Sequence, residues 1–155
     1  MTKIRTSEDP AVRFAKLFAK LYYHMGAKLI QTLGDEQGKK AVAEAVHAFG
    51  VDRVEGMKEE AAERGLPPMG KETYDAVREM PNIGWEFIPE GVSKCPLNEI
   101  WENYGELGVE LAKIYCEIDH VLLNSFGIGL ERNYCLSKGD SYCQFLYQPL
   151  QNAEG

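Results

Sequence analysis

The residues of this chain best suited to chemistry are its cysteines, which gather in the second half: Cys95-Pro96, Cys116-Glu117-Ile118-Asp119-His120, and Gly139-Asp140-Ser141-Tyr142-Cys143-Gln144-Phe145. A thiolate is both a nucleophile and a soft metal ligand, so its surroundings decide its use. Proline suits the first position of a helix, which puts Cys95 at an N-cap. There the unpaired backbone N–H groups and the helix dipole favour a thiolate, making Cys95 the best-poised nucleophile. Cys116 stands four residues before His120 and Glu117 three before it, so all can share one side of a helix. That arrangement suits a nucleophile with a base or a pair of metal ligands. It equally suits a small buried thiol beside a boundary histidine, with Glu117 and Asp119 solvated.

The elements that must position these groups follow from periodicity. From Pro10 to Leu33, Phe14, Leu17, Phe18, Leu21, Met25, Leu29 and Leu33 recur at helical steps, with Asp9 as N-cap and Gly34 as stop. Asp35 opens a second helix with an inward stripe of Val42, Val46, Phe49, Val54 and Met57, made less regular by Gly50 and Gly56 and ending at Gly65. A short helix is expected over Glu72–Met80 and a short strand over 83–88. Pro96 opens a short helix to Tyr104, and a longer one runs from Gly105 to about Asn124. Ile128–Leu136 and Ser141–Tyr147 flank Ser137-Lys138-Gly139-Asp140, a hairpin turn. Helices first and a small antiparallel sheet late, with a C-terminal hairpin packed on a long helix, make an α+β domain.

Strand parity sorts the hairpin. The apolar face holds Leu130, Arg132, Cys143, Phe145 and Tyr147, and the other holds Cys135, Asp140 and Gln144. Cys135 is thus expected to point away from Cys143, with neither a disulfide nor a shared metal between them. Arg132 faces inward, where it requires either a core carboxylate or an anionic ligand.

The chain has 155 residues, 45% of them hydrophobic, which suits a single domain over 1–155: helical across 8–80, with the cysteines in 82–147. Its formal net charge of −7, without a basic stripe interleaved with aromatics, argues against nucleic acid as a partner. No signal-type segment or membrane span is present, so a cytoplasmic, non-membrane protein is expected, with its four cysteines reduced.

The order Cys95-Pro96, a short helix with Trp101, Cys116-Glu117 with Asp119, and Gly139-Asp140-x-x-Cys143-x-Phe145 resembles the L-2-amino-thiazoline-4-carboxylic acid hydrolase family. The resemblance spans about residues 82–147, and the helical first half shares only its general character. It implies hydrolytic opening of a 2-amino-thiazoline ring to an N-carbamoyl-cysteine in sulfur metabolism, on a carboxylate-bearing small molecule. Under it, Cys95 or Cys116 attacks C2 and His120 or Glu117 is the general base, with Cys143 in the same pocket. Arg132 holds the carboxylate, aided by Asp119, while Asp140 either joins them or only shapes the turn. The sequence requires no cofactor, but Cys95, Cys116, His120 and Cys143 are also a candidate zinc set, which would replace the thiol nucleophile by metal-activated water. A ligand- or metal-sensing domain without turnover uses the same cysteines. A homo-oligomer is compatible with aromatics such as Tyr22 and Tyr23, though ordinary packing also accounts for them.

Overall fold

The computed structural model describes residues 3–150. Helix α1 spans Pro10–Leu33, with Asp9 Oδ1 accepting the Ala11 N–H at 2.8 Å, as the capping pattern requires. Gly34, at φ 91°, turns the chain directly into α2, Asp35–Glu63. This helix runs unbroken through Gly50 and Gly56. Gly50 has a packing reason, since a Cβ there would come within 3.0 Å of Val121. Helix α3, Lys71–Val77, follows a Pro-rich loop and leads to strand β1, Glu86–Ile88.

The second half holds more pieces than periodicity resolved. A strand that it missed, β2 at Gly91–Lys94, pairs antiparallel with β1 and leads into α4, Pro96–Glu102. The long helix expected over 105–124 is two: α5, Gly105–Cys116, and α6, Ile118–Asn124. At the joint, Glu117 N–H donates to Ile114 O at 3.3 Å and His120 N–H to Glu117 O at 3.1 Å. These tight three-residue bonds mark the end of α5 and the start of α6.

The terminal strands, β3 at Ile128–Glu131 and β5 at Leu146–Pro149, pair antiparallel with Leu130 opposite Tyr147 and Glu131 opposite Leu146. This is the register that a hairpin turn at 137–140 would give. The chain between them nevertheless leaves the ladder. Leu136–Lys138 forms a single 3-10 turn, and β4, Cys143–Gln144, crosses to pair with β2, Val92 opposite Cys143. Alternation therefore stops after Arg132: Tyr134 is exposed while Cys135 and Ser137 are buried.

The core sits where α1, α2, α4 and α5 meet. Trp101 is fully buried and donates its Nε1–H to Ala19 O at 2.8 Å, tying α4 to α1. Tyr22 packs edge-on against Trp101 and Tyr115 and donates its hydroxyl to Leu111 O at 2.7 Å, which is ordinary packing. Phe14, Leu17, Leu21 and Met25 of the same helix turn outward instead. The helical first half and the small antiparallel sheets make the fold α+β. Among the described residues no helix is long and apolar enough to cross a membrane.

Candidate active site

A cavity of about 360 Å³ opens between α2, α3, the β1–β2 hairpin and the α5–α6 joint. Its lining includes Cys95, Cys116 and Cys143, the charged groups Arg53, Arg78, Asp119 and Arg132, and the aromatic rings of Trp85, Trp101, Tyr115 and Phe145. The volume suits one small molecule.

Cys95 is the N-cap of α4, as its proline implies. Its thiol meets the backbone N–H groups of Leu97 and Asn98, yet burial outweighs them and pushes it up to about 11. The helix start thus does not make Cys95 a resting thiolate, because withdrawal from water penalises the charge more than a short helix rewards it.

Across the cavity lie Cys116 and Cys143, as expected, and behind them a third sulfur, that of Cys135. Cys135 Sγ stands 3.4 Å from Cys143 Sγ and 3.1 Å from Ser137 Oγ, and Cys116 also hydrogen bonds to it. The expectation that Cys135 faces away from Cys143 is corrected here, because the 3-10 turn folds the residue back beneath β4. All four cysteines are free. The Cys116 thiol is raised chiefly by its bond to Cys135, and Cys143 likewise, while Cys135 is held far below the usual thiol range by the donors converging on it. Of the three sulfurs, Cys135 is thus the one on which a negative charge is favoured. Cys143 Sγ also accepts the Leu136 N–H at 3.3 Å.

Arg132 is inward, as strand parity indicated, and meets a core carboxylate. Nη2 lies 2.7 Å from Asp119 Oδ2, Nη1 donates to Cys116 O at 3.3 Å, and the guanidinium sits 4.9 Å from the centre of the Phe145 ring. Only 8% of its side chain is exposed, and its Nε has no hydrogen-bond partner. Burial raises the Asp119 carboxyl even though Arg132 favours its charge.

The remaining expected groups lie elsewhere. His120 and Glu117 face outward, 3.8 Å apart and with 74% of the Glu117 side chain exposed, and neither lines the cavity. The break after Cys116 separates them from the thiol with which they were expected to share a face. Asp140 accepts the Cys135 N–H at 2.8 Å and so shapes the turn. Among the described residues no group of three or more His, Cys, Asp or Glu side chains is arranged to hold a metal, and the candidate zinc set loses His120 to the surface. Conversely, sequence reasoning missed Arg53, Arg78 and Lys71 as cavity cations. Arg53 left a legible signal: it occupies the inward stripe of α2 between Phe49 and Met57, where a cation requires a reason. It bonds to Glu79, and Arg78 bonds to Asn82.

No curated protein and no solved structure matches the chain. A family model does match, over residues 12–147, so the likeness extends through the helical half as well as the cysteine half. On this match the chain belongs to the L-2-amino-thiazoline-4-carboxylic acid hydrolase family.

Proposed function

We propose that this protein hydrolyses a carboxylate-bearing 2-amino-thiazoline, with the cysteine cluster as nucleophile. The observation that carries the reading is Arg132. A buried guanidinium with an unpartnered Nε lines a cavity of about 360 Å³ together with Cys116 and Cys143. Such a donor suits the ring carboxylate, and Lys71, Arg53 and Arg78 draw the anion inward.

With the carboxylate on Arg132, the amidine carbon C2 faces the sulfurs. Cys143 Sγ gives its proton to the Cys135 sulfur 3.4 Å away and bonds to C2 as the bond from C2 to the ring sulfur breaks. The departing sulfur takes that proton from Cys135, which returns to the thiolate. Water then adds to C2 of the enzyme-bound isothiourea. One of its protons ends on the imino nitrogen and the other passes by way of the Asp119 carboxylate to Cys143 Sγ, which leaves as the thiol while N-carbamoyl-cysteine is released. In this scheme Asp119 takes the proton-transfer role that residue spacing suggested for His120 or Glu117, and Cys95 contributes a neutral thiol to the wall.

The test is incubation with 2-amino-thiazoline-4-carboxylate while the released thiol is measured. Wild type should turn over, Cys143→Ala should lose at least about 1,000-fold, and quenched wild-type samples should carry the isothiourea mass adduct on Cys143. Unchanged turnover in Cys143→Ala would exclude it as nucleophile. Binding without turnover by wild type would replace the hydrolase reading with that of a ligand-binding domain.

A further inference from the structure

Helix α1 has two apolar faces, and only one is used within the protomer. Lys16, Ala19 and Gly26 are buried, and Tyr22 reaches the core on that side. On the opposite side Phe14, Leu17, Leu21 and Met25 recur at steps of three and four residues and remain 53–73% exposed. Single exposed apolar side chains are common, but four large ones on one face of one helix are not. If side chains of this size expose roughly 150–200 Å² each when fully open, the stripe presents on the order of 450 Å². Patches of that size on a monomer are often functional.

We propose that this face is a homodimer interface in which α1 of one protomer packs along α1 of a second copy. Two such stripes together remove about 900 Å² of apolar surface from water. The half-open Phe49 beside Phe18 and the Lys28 stem at the margin bring the total to about the 1,200 Å² at which specific interfaces begin. The three- and four-residue recurrence is the seam of two-helix packing. A two-fold axis makes such a stripe its own complement, so no further partner surface is required. An anionic membrane is the other surface that a helix carrying Arg13, Lys20 and Lys28 would seek. The chain's net charge of −7 opposes that approach. None of the four stripe residues lines the cavity, so the dimer stands independently of the hydrolase reading.

Light scattering of the intact chain over roughly 1 to 100 µM reads the outcome directly. Wild type should reach twice the 17.4 kDa chain mass at the upper end. A Leu17→Glu, Leu21→Glu double variant should stay monomeric, with association at least about 100-fold weaker and unchanged circular dichroism. Val51→Glu, on the exposed face of α2, should dimerise as wild type. If the double variant loses helical signal, Met25→Lys replaces it under the same criteria. A wild type that remains monomeric overturns the proposal, as does a dimer that persists in the folded variants. Flotation of monomeric wild type with phosphatidylserine vesicles would also overturn it, giving the stripe to a lipid surface.

Discussion

Cys95 faces the same cavity as Cys116 and Cys143, which are backed by Cys135, but from contrasting surroundings. At the head of α4, Cys95 has two backbone amides and the Trp85 indole for polar company, and loss of water keeps its thiol protonated up to about 11. In the cluster, sulfur donates to sulfur and Ser137 adds its hydroxyl, so a charge placed there is shared. The Arg132 guanidinium lies beside it, bonded to the Cys116 carbonyl. The difference teaches that the start of a short helix does not by itself activate a buried thiol. Several weak donors converging on one sulfur achieve what the dipole does not.

The largest expected effect comes from removing the cation on the cluster side. Arg132→Met leaves Asp119 without its partner, and urea unfolding should show a loss of about 3 kcal/mol, with Arg132→Lys recovering only part because lysine lacks the guanidinium fork. A loss below about 1 kcal/mol would break the contrast, since the cluster would then not depend on its cation.

The Cys95 side is sharpened by pH. Its thiol titrates from 9.0 in the unfolded chain to about 11 in the folded one. The folded state therefore holds the extra proton between these values, and the stability that this contributes is present below pH 9 and lost as pH rises through about 11. Wild type should lose about 2 kcal/mol more than Cys95→Ala across that window. Parallel pH curves for the two proteins would mean that Cys95 is not buried as a neutral thiol.

Two glycines give smaller effects of opposite sign. A Cβ on Gly91 would meet Cys143 O at 1.9 Å, so Gly91→Ala should push β4 and Cys143 from the cavity wall and cost about 1–2 kcal/mol in thermal unfolding. Gly56, inside α2 with open space around it, should gain about 0.5–1 kcal/mol as alanine. Equal effects at both positions would show that β4 is not held in place by its close approach to β2.

Much of the fold was legible because it is written in local chemistry. Asp9-Pro10, Gly34 and Cys95-Pro96 mark helix ends by capping and proline geometry, which neighbours along the chain decide. The inward aim of Arg132 survived because it immediately follows β3, where alternation still holds. Cys135 did not follow the rule, since alternation presumes a continuous ladder and β4 leaves its neighbour for β2. The α5–α6 break is also a long-range outcome. Helical periodicity runs smoothly across Glu117, and only the packing of α6 on α2 and β3 turns it away from α5.

Residue types and their local spacing are therefore enough to establish an α+β chain of this family, with its thiols and Arg132 in the second half. Which thiols meet, which carboxylate receives Arg132, and which face of α1 stays open depend on residues distant in sequence. These outcomes are settled by burial and pairing among those residues, energies that no window of the chain contains until the chain has folded.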